Sequence, residues 1–125
     1  MKNFITFGLF NTLFISIVLI SISLHVLAGE SIRNAKEITI TATEFNFEPA
    51  VITVQKGQDV NLVFKNKGVM THNLTIDKLG LKTETIQPDE TSQLNFTAEK
   101  KGIYPFQCNV PGHKQAGMRG KIIIE

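Results

Sequence analysis

An all-β fold, a two-layer sandwich of about eight short strands preceded by an N-terminal hydrophobic signal segment, is what this 125-residue sequence predicts. Three observations lead there. From Glu37 onward apolar and polar residues alternate in short runs, clusters of Gly, Pro, Asn and Asp separate those runs, and nothing after the N-terminal apolar stretch carries sustained helical periodicity.

The first element is not part of the sandwich. Met1 and Lys2 make a short positive start, and an apolar run from about Leu13 through Ser16, Val18 and Ile20 ends at Val26-Leu27-Ala28, where a signal peptidase would read small residues before the polar Gly29 and Glu30. This pattern predicts a signal peptide over residues 1–28, cleaved after Ala28. The alternative is an uncleaved membrane anchor, since the run is slightly long for a signal core and slightly short for a span of roughly 20 residues. Both readings put the protein outside the cytoplasm, in the periplasm or an equivalent compartment. A lipoprotein anchor is excluded, because the only cysteine is Cys108. Residues 29–36 read as a linker and 37–125 as the folded domain.

Within that domain Ile38, Ile40 and Ala42 alternate with Thr39, Thr41 and Thr43 in a half-buried strand that Glu48-Pro49 breaks. Residues 51–55 form a second run, and Lys56-Gly57-Gln58 turns it into a third with Val60, Leu62 and Phe64 on one face, ended by Asn66-Lys67-Gly68. Strands over 70–77, 83–87, 91–98, 102–108 and 119–125 complete the series. Residues 77–81 have room for a turn.

Composition narrows the function. A net charge of +2 makes nucleic acid a poor partner. Export usually brings disulfides, yet one cysteine cannot form one internally. Without the signal segment the domain falls near the size at which a bound metal adds useful stability.

The chemistry-bearing residues are His72 and the stretch Cys108-Asn-Val-Pro-Gly-His113-Lys-Gln-Ala-Gly-Met118. One thiolate, two imidazoles and a thioether are the donors of a mononuclear blue-copper site, with nitrogen and thiolate ligands in a trigonal plane and methionine sulfur weakly bound on the axis. Strand parity aims them inward: His72 shares a face with Met70, Leu74 and Ile76, Cys108 with Tyr104 and Phe106, and Met118 with Ile122 and Ile124. Pro111-Gly112 supplies a bend, and Gly117 is expected to remove bulk beside the metal. Taken singly, each residue is more often a core histidine, a small hydrophobe or a gap-filling methionine. Taken together they are not, because apart from His25 in the N-terminal run the chain has only these two histidines and this cysteine. A catalytic zinc site of Cys, two His and water is the competing metal reading, and the loop methionine favours copper.

His72-Asn73 followed by the 108–118 stretch resembles the cupredoxin family, in particular small type 1 blue copper proteins such as plastocyanins and auracyanins, over about residues 37–125. The resemblance implies a Greek-key sandwich holding one copper ion through His72, Cys108, His113 and Met118. It also implies that the backbone amide of Asn73 points toward the Cys108 sulfur and ties the two ligand segments together. Electrons would pass through the edge of His113, framed by Pro49, Val69, Val110, Pro111 and Ala116, between a redox donor and acceptor protein. Lys65, Lys67, Lys114, Arg119 and Lys121 would either steer an acidic partner or serve as solvated edge charges. A single cysteine excludes a binuclear site of the cytochrome oxidase type, and two histidines cannot supply a second copper centre. The expectation is a monomeric electron carrier and not an enzyme, touching a membrane only through an N-terminal anchor. The alternative is a periplasmic copper-trafficking protein that stores or hands over the metal.

Overall fold

The computed structural model describes residues 34–125, so the expected signal or anchor segment and most of the linker lie outside the described residues. Nine strands follow in order: β1 (Lys36–Thr43), β2 (Asn46–Glu48), β3 (Val51–Val54), β4 (Asp59–Asn66), β5 (Thr75–Ile76), β6 (Leu81–Lys82), β7 (Thr91–Thr97), β8 (Gly102–Gln107) and β9 (Arg119–Ile124). They form a four-stranded sheet in the order β2-β1-β4-β7 and a five-stranded sheet in the order β3-β9-β8-β5-β6. The chain crosses between sheets after β2, β3, β4, β6 and β7, the interleaving of a Greek-key sandwich. No helix among the described residues is long and apolar enough to cross a membrane.

Alternation builds the core. Ile40 and Ala42 of β1, Ile52 and Val54 of β3, Val60, Leu62 and Phe64 of β4, and Ile122 and Ile124 of β9 all face inward and are buried. At roughly 1.5–3 kcal/mol for each fully buried large apolar side chain, this face is the main stabilising term. Phe47 joins the layers, its ring meeting Phe64 on its own sheet at 6.1 Å and Phe106 on the opposite sheet at 5.4 Å, both edge-on.

Three strand expectations need correction. Residues 46–48 pair with β1 (Thr41 opposite Glu48), because Phe47 has an inward place to fill before Pro49 ends the run. Residues 70–77 are strand only at Thr75–Ile76, and 83–87 contribute a single bridge, His72 opposite Ile86. The backbone between these points is satisfied irregularly: the Leu74 N–H donates to Thr83 Oγ1 at 2.9 Å, and the Thr83 N–H returns to the Leu74 carbonyl at 2.9 Å. Met70, expected to face inward with His72, is consequently exposed. The turn expected over 77–81 is a short 3₁₀ turn, Asp77–Leu79, ended by Gly80.

Candidate metal centre

His72, Cys108 and His113 converge at one end of the sandwich, their donor atoms all within 4.8 Å of one another. His72 Nδ1 lies 3.1 Å from His113 Nδ1, and Cys108 Sγ lies 3.6 Å from His113 Nδ1. Two atoms each bonded at about 2.0 Å, or for sulfur about 2.3 Å, to a common ion can stand no more than about 4.0 to 4.3 Å apart. Both measured separations satisfy that limit, and a contraction of at most about half an ångström brings the third within it. The three side chains are buried, as is Met118.

The segment carrying three of the predicted residues closes on itself. The Cys108 N–H donates to the Met118 carbonyl at 3.2 Å, and the Met118 N–H donates to the His113 carbonyl at 3.1 Å. Between them His113 N–H reaches Val110 O and Ala116 N–H reaches Gly112 O, so the loop is a compact series of turns. Gly117 has a backbone reason of its own: its φ is +109°, which an L side chain resists, and a Cβ there would meet no protein atom within 4 Å.

His72 is held from further away. At the end of β4 the buried Asn66 donates through Nδ2 to the carbonyls of Met70 (2.8 Å) and Ile86 (3.2 Å) and accepts from the Gly68 N–H (2.9 Å). The His72 and Ile86 backbones exchange both their hydrogen bonds. Asn73 links this segment to the ligand loop through its side chain: Oδ1 accepts from the Asn109 N–H at 2.7 Å, while Nδ2 donates to Thr85 Oγ1. Asn109 answers with its own amide on Thr75 Oγ1.

Two participants carry no sequence signal. Glu44, just beyond β1, places Oε1 3.0 Å from His72 Nε2 and accepts from the Val69 and Met70 N–H groups at 2.9 Å each. An acidic residue in a turn reads as solvated, and only the fold brings it to a buried imidazole. Phe45 sets its ring edge-on to His113 at 4.9 Å.

Electrostatics favour the neutral form of His113. Burial pushes His113 below its ordinary value of 6.5, with the charge of His72 adding to that effect and Glu44 opposing it. The Glu44 carboxyl is held below its usual range chiefly by the Met70 N–H, with His72 and the Val69 N–H assisting and desolvation opposing. Neutral imidazole and thiolate are the forms that bind metal.

A Greek-key sandwich with one thiolate and two imidazoles buried together at its end defines a mononuclear soft-metal protein, and the buried thioether in the same loop specifies a single copper ion over zinc. The chain belongs to the family described as the cupredoxin-like domain, whose model matches residues 13–124. It is similar to the copper-resistant cuproprotein CopI of Rubrivivax gelatinosus, 24% identical over 116 residues that cover 77% of this chain and 70% of that one. It is also similar to auracyanin-A of Chloroflexus aurantiacus, 29% identical over 118 residues, 70% of this chain and 72% of that one. Among solved structures, the dithionite-reduced auracyanin of Roseiflexus castenholzii superposes with a TM-score of 0.65 at 24% identity, covering 73% of this chain and 98% of that one.

Proposed function

We propose that this protein is a one-electron carrier in which His72, Cys108, His113 and Met118 hold one copper ion. Copper held there would supply a one-electron couple between its +1 and +2 states, suited to passing single electrons between a donor and an acceptor protein. The observation that carries this reading is the enclosure of the donor set: His72, Cys108 and Met118 are each 0% exposed and His113 only 3%. Ligands locked in a packed, hydrogen-bonded end of a sandwich keep their positions when the charge of the ion changes, so little rearrangement accompanies transfer. His113, under the edge of the exposed Phe45, is the donor nearest the surface, and the exposed Val69 and Met70 add to the apolar face that a partner would cover. Export by residues 1–28 fits such an extracytoplasmic carrier.

A second reading, copper storage or hand-over, is favoured by the likeness to a protein named for copper resistance. Exchange demands ligands that a recipient can reach, which these are not. Adding copper(II) to the purified protein and recording visible and electron paramagnetic resonance spectra tests the site: the carrier gives an intense thiolate-to-copper absorption with narrow hyperfine splitting, and Cys108→Ser abolishes the colour. Reversible voltammetry with no loss of metal to a copper(I) chelator then supports the carrier. Rapid surrender of the metal supports storage.

A further inference from the structure

We infer that Glu44 is a positioning residue for the copper site: its carboxylate fixes His72 as the Nε2–H tautomer, aims Nδ1 at the metal, and places a negative charge behind that ligand that favours Cu(II). This rests on the reading of His72 as a ligand. The argument begins with proton accounting. An ionised carboxylate only accepts hydrogen bonds, so the imidazole nitrogen 3.0 Å from Glu44 Oε1 carries the hydrogen. With that hydrogen on Nε2, the metal-binding form of the ring has its lone pair on Nδ1, which lies 3.1 Å from His113 Nδ1. Two ring nitrogens at that distance are placed to share a cation.

The surroundings are shaped to keep the carboxylate there. Its Oε1 also accepts from the consecutive N–H groups of Val69 and Met70, which orient it independently of the histidine. Gly68 lies against it so closely that a Cβ at that position would overlap the carboxylate. The Glu44 side chain is 25% exposed while His72 is fully buried, so the charge is partly screened on its outer side and bears on the ring at its inner side. Carboxylate partners of metal-bound histidine fix ring orientation and raise ligand basicity, and both effects favour the more highly charged ion.

Three variants of the full chain separate orientation from charge. Glu44→Gln keeps an acceptor oxygen but removes the charge; the blue absorption is retained and the midpoint potential rises. Glu44→Ala removes the acceptor; copper(II) affinity falls by about 10- to 100-fold. In the apoprotein, ¹⁵N spectra of the His72 ring change from the Nε2–H pattern to a mixture of tautomers. Gly68→Ala leaves Glu44 in the chain but displaces its carboxylate, and it reproduces the affinity loss of Glu44→Ala. An unchanged potential in Glu44→Gln, or a wild-type tautomer pattern in Glu44→Ala, overturns the inference even if the melting temperature drops, since a carboxylate that merely caps the 68–70 turn changes stability alone. Failure of the underlying site shows differently: the wild-type protein would give no blue spectrum.

Discussion

The two segments that meet at the copper site are built in opposite ways. Residues 108–118 are closed by main-chain hydrogen bonds between near neighbours in sequence, with the carbonyls of Met118 and His113 at its two crossings. The segment around His72 is held by side chains from other parts of the chain, with Glu44 contributing across 28 residues and the Asn66 amide reaching Ile86 across 20. The first segment is mainly a local device, tied outward at Asn109 to Asn73 and Thr75, and the second is assembled by the sandwich. Changes in the second should therefore register in folding stability, and changes in the first should remain nearer the loop.

Asn66→Ala should do the most damage. The side chain is fully buried and makes three hydrogen bonds, to the carbonyls of Met70 and Ile86 and from the N–H of Gly68. Truncation takes that partner from the Met70 carbonyl and the Gly68 N–H, while the Ile86 carbonyl keeps the His72 N–H, at a cost of about 3 kcal/mol. Chemical denaturation of the apoprotein measures this directly. A loss under about 1 kcal/mol would mean that the His72 segment does not depend on distant support, and the contrast would fail.

Gly117→Ala is the corresponding change in the local segment. With open space around the new methyl group and a φ of +109°, the only penalty is conformational, about 2 kcal/mol. It is expected to loosen the loop before β9, so the visible absorption band of the copper-loaded protein should shift or broaden while the midpoint of unfolding moves less than in Asn66→Ala.

Acidity acts on the site through His113 and Glu44. His113 has its folded-state value below 6.5, so the unfolded chain binds more protons there and apoprotein stability falls as pH drops through that value. Glu44, with its folded value below 4.5, contributes stability that is present above that figure and is lost on further acidification through its folded value. Both act in the same direction, so apoprotein melting temperature should decline stepwise from pH 7 toward acid, and His113→Asn should remove the upper step. A melting temperature that rises between pH 7 and 5 would reverse the sign derived from burial.

This difference in construction also explains what could be foreseen. The donor set in 108–118 was legible because its spacing is local and its residue types are rare in this chain. His72 was legible by chemistry, as one of two remaining histidines, although the strand proposed to carry it shrank to a bridge at Ile86. Alternation in β1, β4 and β9 identified the core faces, since each of these strands buries one side more deeply than the other, although in β4 the outward Val63 is buried as well. Glu44, Phe45 and Asn66 were invisible. Nothing about a glutamate after a threonine-rich strand distinguishes solvation from a hydrogen bond to an imidazole 28 residues away. Likewise Asn66 reads as punctuation, and its burial follows from the crossing of sheets after β4.

The smallest effect belongs to a bond that looks like support for the same region. Lys67 Nζ lies 2.9 Å from Asp89 Oδ1 and so joins the 66–72 and 87–90 segments from outside, much as Asn66 joins neighbouring positions from within. Both charged side chains are largely exposed, at 57% and 83%. In water the attraction is screened, and ordering two flexible side chains offsets much of it, so Lys67→Ala should cost no more than about 0.5 kcal/mol. High salt should erase even that difference, whereas the effect of Asn66→Ala should persist, because a buried amide has no counterion competing for its partners. A loss in Lys67→Ala approaching that of Asn66→Ala would show that the His72 segment is held at its surface, and the division between inner and outer ties would have to be abandoned.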